Sequence, residues 1–141
     1  MQLLHHNGDL FQTPEWMPLA HCISQDARMG KGIAVQFQNL FNLREEIQNS
    51  NPQVGSVVPI WRGQRLICNL ITKKKCFHKP ALQDIFSSLT SLRSFMFAER
   101  LTVIGIPRLA AGLDGVPLQV VISMLTEVFW NTPVTIHMFH F

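Results

Sequence analysis

Hydrophobic residues fall in short strand-like runs separated by stretches with a period near 3.6, the rhythm of strands alternating with amphipathic helices. Residues 3–7 have strand character and stop at Asn7-Gly8-Asp9, a turn signal. Residues 18–23 predict a second strand, apolar apart from His21, and a loop of small and polar residues follows to Gly32. Ile33, Phe37, Leu40 and Phe41 then recur at helical spacing, so a first helix is expected after Gly32. The polar stretch 48–55 reads as a connection.

Residues 57–61 and 65–72 are separated only by Arg62-Gly63-Gln64, which predicts a hairpin or neighbouring strands. The second of these is apolar from 66 to 71 except for Asn69, as in a strand covered on both faces. Pro80 is expected to open the strongest helix, whose stripe is Leu82, Ile85, Phe86, Leu89, Leu92 and Met96. Residues 101–106 predict a strand that Pro107 ends. Another helix carries Val120, Val121, Met124, Leu125 and Val128, and a last strand starts near Val134. This alternation argues for an α/β layered domain with a largely parallel sheet, and with no repeat or long linker, for one domain over residues 1–141.

Composition changes this picture little. With 47% hydrophobic and 15% charged residues the chain reads as an ordinary globular domain. The first residues lack the charged and apolar regions of an export signal, and no apolar run reaches the roughly 18 residues of a membrane span. The expectation is an intracellular protein, cytoplasmic or nuclear, that does not enter membranes. Three cysteines, Cys22, Cys68 and Cys76, do not make a disulfide framework and suit a reducing compartment. The histidines do not fall at zinc-ligand spacing with them, so no metal is expected. No heptad is evident, and a monomer is expected. A net charge of +3 suits an anionic ligand without arguing for nucleic acid.

In an open α/β sheet ligands sit beyond the carboxyl ends of the strands, and three segments there carry candidate chemistry. One is Lys73, where the strand 65–72 ends. Another is Pro107-Arg108-Leu109-Ala110-Ala111-Gly112-Leu113-Asp114-Gly115, whose small residues let backbone amides approach a phosphate next to a helix start. The third is Arg28-Met29-Gly30-Lys31-Gly32, also leading into a helix. Each alone has an ordinary structural explanation: a solvated lysine run, a helix-capping aspartate, a turn. Neither a dinucleotide fingerprint nor a Walker-type Gly-Lys-Ser/Thr is present.

Several segments taken together, in order, resemble a known family. Asn7-Gly8-Asp9-Leu10-Phe11 is similar to the Gly-Asp-Leu/Ile segment near the start of macrodomains. Leu19-Ala20-His21-Cys22-Ile23-Ser24 and Arg28-Met29-Gly30-Lys31-Gly32-Ile33-Ala34 resemble the next segment of the terminal ADP-ribose protein glycohydrolase branch. Leu70-Ile71-Thr72-Lys73-Lys74, with His78-Lys79-Pro80 after it, resembles that branch's lysine strand end. Ile106-Pro107-Arg108-Leu109-Ala110-Ala111-Gly112-Leu113-Asp114 resembles its second phosphate loop and acidic residue.

The resemblance implies a single macrodomain, a three-layer α/β/α sandwich around a mixed, largely parallel sheet, with ADP-ribose across its crest. Asp9 and Leu10 would sit by the adenine, with Phe141 packed beside the base. Ser24, Gly30, Gly32, Ile33, Ala34 and Thr72 would line the ribose and diphosphate. Pro107, Arg108, Leu109, Ala110, Ala111, Gly112 and Leu113 would wrap the diphosphate and distal ribose. Lys73 would be the nucleophile and Asp114 the general acid/base of a hydrolase that removes mono-ADP-ribose from Glu and Asp esters, needing no cofactor and also suited to O-acetyl-ADP-ribose. The implied partners are ADP-ribose and ADP-ribosylated proteins. Ala110 and Lys31 stand where the branch usually has small residues, Ala110 replacing a glycine. They leave room for a reader module that binds without cleaving; removal of ADP-ribose from nucleic-acid bases is a further alternative.

Overall fold

The computed structural model describes residues 1–140. Six strands form one sheet: β1 Gln2–Asn7, β2 Leu19–Ser24, β3 Val57–Arg62, β4 Arg65–Lys73, β5 Val103–Ile106 and β6 Thr135–His140. Their order is β1-β6-β5-β2-β4-β3. Only β3, joined to β4 by a tight turn, runs antiparallel to its neighbour. Helices α1 Ile33–Phe41 and α2 Arg44–Asn49 cover one face, and α3 Leu82–Ala98 and α4 Leu118–Val128 the other. The expected mixed sheet between two helical layers is what the chain builds.

Strand pleating sorts the two cores. From β4, Leu66, Cys68 and Leu70 point to the α3/α4 side, where Ile85, Leu89, Leu92, Val121 and Leu125 meet them. Ile67 and Ile71 point the other way, to Phe37, Leu43 and Ile47. β4 is buried from Arg65 to Thr72, as its near-continuous apolar run predicts.

Several element boundaries differ from the sequence reading. Pro80 lies ahead of α3 rather than in its first turn, because the cap is the extended residue Ala81. β5 starts at Val103: Leu101 is taken up in closing α3, its amide donating to Met96 O at 2.8 Å while the Arg100 amide reaches Phe97 O at 3.2 Å. That pair of bonds is a Schellman closure, with Arg100 in the left-handed position (φ 58°) that glycine usually takes. Part of the expected connection 48–55 belongs to α2, whose six residues bury one side chain and so give no readable period. A 3-10 turn, Leu10–Gln12, was likewise not foreseen.

Three polar residues, Arg65, His21 and Asn69, are buried on the α1/α2 side. The Arg65 guanidinium donates to Thr13 O, Pro14 O and Met17 O at 2.8–2.9 Å and to Thr13 Oγ1 at 3.1 Å, pinning the segment ahead of β2. His21 is fully buried between Phe37, whose ring stacks on it at 3.7 Å, and Asn69. Asn69 Nδ2 donates to Val58 O, so its Oδ1 accepts from His21 Nε2 at 2.6 Å. That leaves His21 Nδ1 as the unprotonated nitrogen, with no partner among the described residues.

Burial pushes His21 down to about 4, an effect the Asn69 bond only partly offsets. An unfolded chain takes up a proton at this imidazole near pH 6.5, whereas the native one resists until about 4. His21 therefore makes stability fall as pH drops through that window, by about 3 kcal/mol in all, with its full contribution present above it. Urea unfolding at pH 7.5 and 4.5 is expected to show this loss, and His21→Gln to flatten it. An equally steep dependence in the variant would assign the acid sensitivity to other groups.

Candidate active site

Because β1, β6, β5, β2 and β4 run parallel, their carboxyl ends share one edge of the sheet. The segments that follow them, 8–13, 24–32, 74–81 and 107–117, rise together along that crest. β2 and β5 meet at a single bridge, Leu19 to Gly105, and separate beyond it. Gly105 permits this contact: a Cβ there would stand 3.1 Å from Leu19 Cδ2 and Met17 Sδ. The crevice expected at strand ends thus opens between the loops after β2 and β5.

Lys73 and Asp114 meet beside this crevice. The Nζ to Oδ1 distance is 2.7 Å, and the two side chains are 13% and 15% exposed. Lys79 reinforces the approach of the two loops by donating to Leu113 O at 2.7 Å. Cys22, half-buried at the end of β2, lies close enough to feel both charges. Burial pushes its thiol up to about 12, the Asp114 carboxylate adds to this, and Lys73 and the Ala110 amide oppose it. Cys22 therefore remains a thiol at neutral pH.

The loop after β2 is organised by Asp26, a residue the sequence reading passed over. Its carboxylate accepts from Ser24 Oγ, from the Cys76 amide at 3.1 Å and from the Arg28 amide at 3.3 Å. Partial burial raises this carboxyl, but those three donors outweigh it and hold it below the usual carboxylate range. The Gln25 and Asp26 amides continue the β2–β4 pairing by donating to Lys73 O and Lys74 O. Ser24, expected to meet a ligand, is buried and directed to Asp26.

Gly30 is open, and Gly32 (φ 63°, ψ −150°) caps α1 with no side-chain bond. A Cβ on Gly32 would come within 3.0 Å of Leu113 Cδ1, so the two loops face each other closely. Ile33 and Ala34 begin α1, where first-turn amides have no intrahelical acceptor and favour an anion. Across the crevice the Gly112 and Leu113 amides carry no hydrogen bond to another described residue. Ala110 takes the left-handed conformation (φ 55°) that a glycine would hold without strain, and its methyl is buried with the α3/α4 core. Lys31 is exposed.

Other expected contacts take different positions. Leu10, Thr72, Pro107 and Leu109 are buried and support the crest from within, so a ligand meets little of their surface. Asp9 caps the turn 10–12 by accepting from the Phe11 amide at 2.9 Å. Arg108 is exposed but drawn to the sheet edge, its Nε donating to His140 Nδ1 at 2.7 Å. Ala111 is half-buried behind Gly112. Phe141 lies outside the described residues. Among those residues no three His, Cys, Asp or Glu side chains converge as metal ligands, and no helix is long and apolar enough to cross a membrane.

No protein-family model matches the chain. It is 38% identical over 135 residues to human ADP-ribose glycohydrolase OARD1, covering 96% of this chain and 89% of that protein. The chain belongs to the macrodomain family, in its ADP-ribose glycohydrolase branch. The solved macrodomain of Thermus aquaticus DarG superposes with a TM-score of 0.88 at 25% identity, covering 99% of this chain and 98% of that one. Thermosipho africanus DarTG in complex with ADP-ribose gives 0.83 at 20% identity, over 97% of this chain and 41% of that one.

Within this macrodomain Asp26 ties the rim after β2 to the rim after β4. Asp26→Ala removes the acceptor of two backbone amides and a hydroxyl, and is expected to cost about 1 kcal/mol, or several degrees of melting temperature. Thermal unfolding checks this; a change below one degree would show that water replaces the carboxylate without loss.

Proposed function

We propose that this macrodomain binds ADP-ribose along its crest and hydrolyses mono-ADP-ribosyl esters of glutamate and aspartate, with Lys73 as nucleophile and Asp114 as acid/base. The observation that carries the reading is the shielded Lys73–Asp114 pair at 2.7 Å, beside unpaired loop amides in a chain related to an ADP-ribose glycohydrolase. The ADP-ribose bound by Thermosipho africanus DarTG, which shares the fold, supports the same ligand.

At 2.7 Å the ammonium proton can pass directly to Asp114, freeing the amine for attack. Lys73 Nζ then bonds to the anomeric carbon of the distal ribose, and the bond from that carbon to the ester oxygen breaks. The acceptor leaves as a carboxylate, a good leaving group that needs little protonation. Asp114 releases the proton it took from Lys73 to solvent; water then resolves the lysine adduct, Asp114 taking a proton from the attacking water and returning it to the amine as the bond to the anomeric carbon breaks. The products are ADP-ribose, the unmodified carboxylate and the starting pair. The diphosphate would rest on the amides of residues 33, 34, 112 and 113, at a helix start and in a glycine loop. O-acetyl-ADP-ribose, also an ester of the distal ribose, fits the same site.

A time course of ADP-ribose release from glutamate-linked mono-ADP-ribosylated protein tests this. Lys73→Ala and Asp114→Ala are each expected to slow release by at least about 100-fold, the scale of a lost nucleophile or acid/base group. Full activity in Lys73→Ala would overturn the mechanism. Binding of ADP-ribose without release by the unaltered chain would make it a reader module instead.

A further inference from the structure

Between the carboxyl end of β4 and the start of α3 lies a second hollow, a cavity of about 530 Å³ that Lys73 also lines. Lys74, His78 and Lys79 form its basic wall, and Val54 and Ala81 its apolar one. Residues 30–34 and 110–113, which bear the open amides, are not part of its lining. Lys74 and Lys75 are exposed, and neither has a carboxylate partner among the described residues. The one acid in the lining, Asp84, sits in the first turn of α3, where it answers that helix's own positive end. With Asp84 here and Asp26 bonded to the Cys76 amide, Lys73, Lys74, Lys75 and Lys79 outnumber the acids and leave the rim net positive.

Beside them Phe77 is 78% exposed, its ring edge-on to His78 with centroids 4.8 Å apart. Leu113, 64% exposed, stands on the opposite lip, where Lys79 holds its carbonyl. Cations, an exposed phenyl ring and a hollow next to the scissile bond fit a chain that is acidic with an apolar neighbour. A single ring held edge-on offers little to a run of stacked bases, which favours polypeptide over single-stranded nucleic acid.

Resting on the ester-hydrolase reading above, we propose that this hollow and its lip form the subsite for the polypeptide flanking the modified residue. Lys74, Lys75 and Phe77 select acidic segments that carry an apolar side chain. The chemistry at Lys73 is common to all substrates, and this rim decides which acceptor proteins are served.

Labelled peptides bearing one ADP-ribosylated glutamate, flanked by Asp, Glu and Leu or by Lys and Ser, provide the test. The unaltered chain is expected to favour the acidic peptide about fivefold to tenfold in kcat/KM, mainly through KM, with the preference fading in high salt. The double variant Lys74→Glu, Lys75→Glu is expected to lose or reverse it, and Phe77→Ala to weaken it. Both variants should hydrolyse O-acetyl-ADP-ribose, which has no peptide, as the unaltered chain does. Fluorescence anisotropy of the same peptides reads the preference even if the chain binds without cleaving, so failure of the hydrolase reading stays distinct. Equal handling of both peptides, or a preference that survives the variants, would overturn the proposal. So would stronger, variant-sensitive binding of an ADP-ribosylated single-stranded oligonucleotide, which would assign the rim to nucleic acid.

Discussion

β4 is buried along its length from Arg65 to Thr72, and the next residue is a lysine. An ammonium at the end of such a strand must either reach water or find a counter-charge, because desolvation without a partner is costly. Lys73 is only 13% exposed, and its counter-charge comes from Asp114, 41 residues further on. This one contact fixes how the loop after β5 folds back over β4. The backbone accommodates it with left-handed residues at Ala110 and Gly115, and with the Val116 amide closing onto Ala110 O at 2.9 Å. The crevice, the open amides of residues 112 and 113 and the nearness of Leu113 to Gly32 all follow from where that loop is held.

The two cores serve this arrangement differently. The α3/α4 side is almost wholly apolar and supplies the bulk of hydrophobic burial. The α1/α2 side admits His21, Asn69 and Arg65, each of which replaces nonspecific packing with a directional bond. Their partners lie on β3 and on the segment entering β2, so they fix how strands and connections align where pleating alone would leave freedom. A buried neutral histidine with one bare nitrogen is the cost of that precision, and it appears as acid sensitivity rather than as any role in chemistry.

Apolar spacing along the sequence carried the helices α1, α3 and α4, and short apolar or strand-prone runs carried the six strands. It could not carry α2, where Ile47 alone is buried, or the 3-10 turn at 10–12. Helix stops were harder still: Arg100 does the work of a glycine, and no composition signal marks it. At the site, the resemblance singled out Lys73 at a strand end and Asp114 in the loop after β5, but their contact depends on loop geometry that spacing does not encode. Asp26 was hidden because its partners include an amide 50 residues away, although Ser24-x-Asp26 after a strand is a pattern consistent with a local turn bond. Leu10, Thr72, Pro107 and Leu109 prove buried, which a segment's place in the motif does not tell residue by residue.

In the proposed mechanism the pair that organises the crest is also the pair the chemistry must interrupt. While the ammonium is bonded to Asp114, Lys73 cannot attack, so the same interaction that holds the loop keeps the nucleophile latent. Under that mechanism, proton transfer across 2.7 Å resolves the conflict: the amine is freed, and the neutral carboxyl still offers it a hydrogen bond. Cys22 cannot substitute, since the burial and carboxylate that surround it favour the thiol. A rigid, self-restoring pair of this kind has no means of its own to tell one acceptor from another. On this reading discrimination must come from surfaces around it that are free to vary, and the exposed basic rim between β4 and α3 is one that adjoins the pair.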